Sequence, residues 1–128
     1  MVLLDTCTLL WLASDRKKLP KGVLDRIAAA AGALYISSIS AFEIALKHRR
    51  GRLVLPMEPE AWIGEALAFH GIEEIPVDWR ITARAVDLAI EVNDPCDRMI
   101  LATALLKNLT LLSPDQALRA CPGVSVAW

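Results

Sequence analysis

Apolar positions along this chain fall into two rhythms, short unbroken runs and longer stretches spaced three and four apart. Val2-Leu3-Leu4 is a run closed by Asp5, the pattern of a buried parallel strand. Thr6 to Ala13, with Leu9, Leu10 and Trp11, predicts a short helix. Asp15 to Pro20 is a polar loop. Val23, Leu24, Ile27, Ala28 and Ala31 return to helical spacing, and Gly32 stops them. Leu34-Tyr35-Ile36 is a second short strand. Ser37 to Ser40 lead into a helix with Phe42, Glu43, Leu46 and Lys47, which ends in the basic run to Arg50 and in Gly51. After Pro56 and Pro59, the positions Trp62, Ile63, Ala66 and Leu67 predict another helix. Gly71 to Val77 alternates less cleanly, and Pro76 suits an edge strand or a strand end. Asp78 can cap a helix that turns Ile81, Ala85 and Leu88 inward. A further helix opens at Asn93-Asp94-Pro95-Cys96-Asp97-Arg98. Leu109 to Leu112 is a strand, Ser113-Pro114-Asp115-Gln116 starts a short helix, and Val124-Ser125-Val126 makes a last strand.

Strands that alternate with helices predict an α/β fold whose central sheet is mainly parallel. Such sheets bind ligands beyond the carboxyl ends of their strands. Asp5 follows the first strand directly, Glu43 lies in the first turns after the second, and Asp115 follows the Leu109–Leu112 strand. Asp97 begins the helix that feeds that strand. Its neighbours one turn on are Ile100 and Leu101, so it stands on or beside the buried face, where a carboxylate needs a partner.

Each acid also has a plainer reading. Asp94 is a good N-cap with Pro95 at the first helical position. Ser40-x-x-Glu43 and Ser113-x-x-Gln116 have the form of capping boxes. Glu43 and Lys47 are spaced for an i,i+4 pair. Four acids gathered at one rim favour a shared site instead. Clustered carboxylates repel unless a cation joins them, and an all-oxygen set suits Mg²⁺ or Mn²⁺.

Composition narrows the partners. The chain has 128 residues, 55% of them hydrophobic, with a net charge of −1. That is enough for one domain over 1–128 with a real core. A general basic coat for nucleic acid is absent, so such binding falls to a local patch, and Lys47 to Arg52 is the candidate. The three cysteines, Cys7, Cys96 and Cys121, form no CxxC pair; this predicts a reducing cytoplasm rather than a disulfide framework or a zinc site. No signal peptide and no apolar run of membrane length is evident.

With these residues in view, the chain resembles the VapC toxins of bacterial toxin–antitoxin pairs, which belong to the PIN-domain ribonucleases. Four blocks carry the resemblance over nearly the whole length: Leu3 to Trp11, Ser37 to Lys47 with Gly51-Arg52-Leu53, Asp94 to Ala102, and Leu111 to Asp115. The resemblance implies a PIN-like α/β/α sandwich and a Mg²⁺-dependent endoribonuclease, with Mn²⁺ as a substitute. It maps the acidic positions onto Asp5, Glu43, Asp97 and Asp115. Thr6 matches a hydroxyl position after the first acid. It also implies a homodimer and a VapB-like antitoxin whose C-terminal segment covers the site. Departures fall at Cys7, Asn93 and Cys96, where relatives often carry other residues. We expect Asp5 and Asp97 to hold the metal most directly, with Glu43 and Asp115 completing the set. Thr6, Lys47 and Arg98 are expected to meet substrate, and Asp94 and Ser40 to stand behind the metal ligands.

Two rivals remain at this point. A haloacid-dehalogenase-type phosphatase also has an Asp after its first strand, but needs a second Asp where Cys7 stands. A non-catalytic dimerising module, partnered with a DNA-binding antitoxin-like protein, would use its acids only as caps.

Overall fold

The computed structural model describes all residues 1–128. Five strands and six α-helices follow one another as β1 (Val2–Leu4), α1 (Thr6–Ser14), α2 (Lys21–Ala29), β2 (Leu34–Ser37), α3 (Ser38–Arg49), α4 (Pro59–His70), β3 (Ile72–Ile75), α5 (Trp79–Asp87), α6 (Pro95–Lys107), β4 (Thr110–Leu112) and β5 (Val126–Ala127). Two short 3-10 turns, Arg16–Lys18 and Gln116–Ala120, complete the set. The sheet is parallel throughout, in the order β3-β2-β1-β4-β5. β1 is therefore the central strand, with Leu3 opposite Tyr35 on one side and Leu111 on the other.

Successive side chains of a strand point to opposite faces, and β1 shows what this does. Val2 and Leu4 enter a core shared with α1, α2, α3 and α4, where Leu9, Val23, Ile44 and Trp62 are buried. Leu3 enters a second core with Ile81 and Ala85 of α5 and Ile100, Leu101 and Ala104 of α6. The result is a three-layer α/β/α sandwich, the architecture expected. Burial on both faces is why the strands read as unbroken apolar runs.

Some elements differ in detail. β5 sits one to two positions later than Val124–Val126, because Val126 and Ala127 are the residues in register with Leu111 and Leu112. Trp62 packs inside, but Trp79 at the start of α5 is 70% exposed with Arg80 stacked on its ring. No helix is long and apolar enough to cross a membrane.

Candidate functional site

The parallel sheet delivers the ends of β1, β2 and β4 to one rim, and the chain leaves each strand through a capped helix or turn. Asp5 follows β1, and its backbone N–H donates to Leu112 O at 3.1 Å. Its side chain caps α1, accepting from the N–H of Thr8 (2.8 Å) and from the Thr8 hydroxyl (2.6 Å). That hydroxyl also lies 3.0 Å from Leu112 O. Its single proton serves one acceptor, so the link from the end of β1 to the end of β4 is the Asp5 N–H bond, with the fully buried Thr8 hydroxyl packed between the two acceptors. Burial pushes the Asp5 carboxyl above the ordinary range; hydrogen bonds from Ser113 and Thr8 work against that, and Asp115 adds to it.

Thr8 was not among the expected site residues. The signal was present: a hydroxyl three positions after Asp5, inside an otherwise apolar helix, is where an N-cap side chain finds its partner. Replacing it with the isosteric valine is expected to cost about 1–2 kcal/mol, the cost of leaving a buried acceptor unpaired. Urea unfolding measures this, and Thr8→Ser should recover most of the loss.

Glu43 comes from α3. The capping-box reading fails here, because the N-cap is Ser37, whose side chain accepts from Ile39 N. Ser40 is instead buried, 2.8 Å from the Thr6 hydroxyl, which lies 2.6 Å from Glu43 Oε1. A hydroxyl has one proton and a carboxylate only accepts. So Thr6 donates to Glu43 and receives from Ser40. Burial raises the Glu43 carboxyl; the Thr6 bond and nearby Lys47 oppose this, while Asp94 and Asp5 add to it. Lys47 is close enough to be felt but forms no ion pair with Glu43; the ion pairs of the chain are Lys18–Asp15 and Lys21–Asp25. None of the rim acids is neutralised by a cation.

Asp94 caps α6, accepting from Cys96 N (2.8 Å) and Asp97 N (3.1 Å). Asp97 then stands half-buried in the first turn with no hydrogen bond to its side chain. Burial first, then Asp94, Glu43, Asp115 and Asp5, push its carboxyl up to about 7. Asp115 is exposed and caps the Gln116–Ala120 turn through Ala117 N, so the expected Ser113 cap is displaced by two residues. Ser113 is buried and accepts from Asp115 N at 3.1 Å.

The structure thus brings Asp5, Glu43, Asp97 and Asp115 into one electrostatic neighbourhood, with Thr6 and Ser40 behind Glu43. No three of the side chains converge closely enough to ligate a metal ion as they stand. Arg98 does not join them. Its guanidinium turns away and donates to five backbone carbonyls: Ala85 (2.7 Å), Ile90 (3.0 Å), Val92 (2.8 Å), Val86 (3.2 Å) and Leu88 (2.8 Å). With five donors in all, no N–H is left over for substrate, and the expected phosphate contact is withdrawn. Lys47, with Phe42, Glu43, Arg50, Arg52 and Asp94, borders a cleft of about 240 Å³ beside the acids.

Comparison with known proteins bears on this arrangement. The PIN domain family model matches residues 2–123. The chain is 30% identical over 120 residues to Ribonuclease VapC22 of Mycobacterium tuberculosis, covering 93% of this chain and 90% of that protein. Its fold is similar to a chain in the structure of VapBC2 from Rickettsia felis bound to a promoter DNA fragment. The TM-score there is 0.74, with 16% identity, and 99% of this chain and 98% of that chain are covered. DNA-bound VapBC from Salmonella typhimurium gives a TM-score of 0.70 at 19% identity, over 98% of this chain and 96% of that one. The family match spans nearly the whole sequence, from β1 to the residues just before β5, and takes in every acid at the rim: this chain belongs to the PIN-domain family, among its VapC proteins.

Proposed function

We propose that this protein is the toxin of a type II toxin–antitoxin pair and an endoribonuclease that hydrolyses RNA phosphodiesters with a bound Mg²⁺, for which Mn²⁺ can substitute. The observation that carries this reading is the set of four uncompensated acids, Asp5, Glu43, Asp97 and Asp115, at the carboxyl rim of a parallel sheet. Their donor chemistry fits a hard divalent cation: oxygen only, mutually repelling, and free of competing ion pairs. Because the side chains do not yet converge, binding requires them to close together.

Asp5 and Asp97 would hold the metal, with Glu43 and Asp115 completing the set directly or through water. A metal so bound orients and deprotonates water and offsets charge on the phosphoryl group. The chain's own residues prepare for this. Thr8 fixes the Asp5 carboxylate, and Thr6 orients Glu43 and favours its charged form, leaving it able to take a proton from water. Asp97 holds a proton near neutrality that a cation must displace. Lys47 offers charge to the RNA backbone. The antitoxin would be VapB-like, with a segment that covers this rim, and the toxin a homodimer.

A non-catalytic module is the second reading, and it has an observation in its favour: Asp5, Asp94 and Asp115 all cap helices or turns. Two measurements decide. Titration calorimetry with Mg²⁺ should give saturable heat, which capping acids alone would not. Protein freed from antitoxin should cut a mixed RNA pool in Mg²⁺ and not in EDTA; a pool left intact would reject the nuclease.

The same acids predict a pH dependence. In the folded chain Asp97 titrates near 7 instead of 3.8, so the folded state binds its proton more tightly than the unfolded chain does. The resulting stabilisation is complete below about pH 4 and is lost as pH rises through 7. Without metal, Tm should therefore fall between pH 5.5 and pH 8, roughly the window in which Asp97 ionises. Saturating Mg²⁺ should restore Tm at pH 8 more than at pH 5.5. Scanning calorimetry of wild type and Asp97→Asn checks it, since the variant should lose most of the slope.

A further inference from the structure

The rim carboxylates do not offer their oxygens equally. Asp5 Oδ1 receives both the Thr8 N–H at 2.8 Å and the Thr8 hydroxyl at 2.6 Å. The hydroxyl's other neighbour, Leu112 O, is farther away at 3.0 Å and uncharged, so the carboxylate takes the proton. A carboxylate oxygen has two lone pairs, and those of Oδ1 are filled. Glu43 Oε1 receives the Thr6 hydroxyl at 2.6 Å, and Ser40, 2.8 Å from Thr6, holds that hydroxyl in the donating sense. Thr6, Thr8 and Ser40 are all buried, so bulk water does not compete for these bonds. Asp97 has no such restraint: its side chain accepts no hydrogen bond, and only its backbone N–H is engaged, with Asp94.

Bidentate binding places both oxygens of one carboxylate on the same ion. Ca²⁺ uses this mode readily, taking about six to eight oxygens at roughly 2.3–2.6 Å. Mg²⁺ demands near-octahedral geometry at about 2.0–2.1 Å, and fills it from one or two carboxylates and water. Ligand number and flexibility therefore decide between the two ions. We propose that Thr6 and Thr8 set the metal specificity of this rim. By engaging one oxygen each of Glu43 and Asp5, they leave each acid a single oxygen for the ion, which suits Mg²⁺ or Mn²⁺ and disfavours Ca²⁺. This rests on the metal-binding reading of the rim and extends it to how the ion is chosen.

Titration calorimetry of the full chain, without RNA, gives the ratio of Mg²⁺ to Ca²⁺ affinity. Wild type should favour Mg²⁺. Thr6→Val, made together with Ser40→Ala so that no buried hydroxyl is stranded, should shift the ratio toward Ca²⁺ roughly tenfold, the low end for a group that orients a metal ligand. Thr8→Val leaves the Thr8 N–H on Asp5 and should shift it in the same direction by less. Thr6→Ser and Thr8→Ser keep the hydroxyls and should keep the wild-type ratio. A role in packing alone would weaken both ions together and leave the ratio unmoved. If the Thr6 variant does not fold, Thr8→Val carries the test. A wild type that favours Ca²⁺, or valine variants with the wild-type ratio, overturns the proposal. Its failure is separable from that of the nuclease. If wild type cuts RNA in Mg²⁺ but the valine variants keep its ratio, this inference alone falls. If the ratio shifts as stated but wild type cuts no RNA, the nuclease falls and the choice of metal stands. If no ion gives saturable heat, both fall.

Discussion

Replacing Asp97 with asparagine is expected to lower the rate of Mg²⁺-dependent RNA cleavage roughly a hundredfold or more, above the 10–100-fold typical of groups that only orient a ligand. The same substitution should make the metal-free protein more stable above pH 7. Both effects have one origin. Asp97 is half-buried, accepts no hydrogen bond and stands among Asp94, Glu43, Asp115 and Asp5. Ionised and without a cation, it opposes folding; with a cation, the same charge is what binds it. Asparagine keeps the shape and removes both. Asp5→Asn should lose activity to a similar degree, but with little gain in stability, because the Asp5 side chain accepts from Thr8 N and Thr8 Oγ1 and an amide oxygen can still do so. Initial rates on a fluorogenic RNA and melting curves at pH 8 in EDTA read the two quantities separately. An Asp97→Asn protein that retains a substantial share of wild-type activity, or that melts below wild type at pH 8, contradicts this account.

The largest loss of stability is expected at Arg98. Its five hydrogen bonds gather the last carbonyls of α5, at Ala85 and Val86, and those of the following segment at Leu88, Ile90 and Val92. The final carbonyls of a helix have no partner within it, and here a side chain from the next helix supplies one. Arg98→Met keeps much of the apolar stem and strands the acceptors. A loss of about 3 kcal/mol or more is expected, because several carbonyls lose charge-assisted hydrogen bonds worth about 1.5–3 kcal/mol each, the exposed one least. Arg98→Lys should recover only part, since an ammonium has three donors and lacks the planar fork. Urea unfolding gives the values. Cleavage by Arg98→Lys under conditions where it is folded should stay near wild type, which a phosphate-contacting arginine would not allow.

Arg98 also shows where a sequence stops being informative. Its position beside Asp97 in a nuclease-like block suggests substrate, and its real partners are backbone atoms, which carry no side-chain signature. The carbonyls that recruit it lie in a segment with weak periodicity, Ala85 to Val92. By contrast, the strands that position the site were legible because burial on both faces leaves an unmistakable apolar run. The acids were legible for a related reason: polar residues that end such runs must sit at the rim. What could not be read was which hydroxyl serves which acid. Ser40-x-x-Glu43 satisfies a capping rule on paper, yet the helix begins at Ser38 with Ser37 as its cap, because β2 continues to Ser37 in register with Ile75. A shift of a few residues in the start of α3 converted a cap into the Ser40–Thr6–Glu43 chain. Trp79 is the opposite case: a large ring suggests a core position, yet it stands 70% exposed at the first position of α5.

The central place of β1 has a consequence in time. β1 is the first strand made, but one of its two neighbours is β4, with Leu4 in register with Leu112 and Asp5 N donating to Leu112 O. At synthesis rates of roughly 5–20 residues per second, the interval between them is on the order of ten seconds. Throughout it the nascent chain lacks β4 and Asp115, and for most of it α6 and Asp97 as well. No amino-terminal fragment that stops before Asp115 holds the full set of acids, so on the proposed reading such a truncated product should be inert.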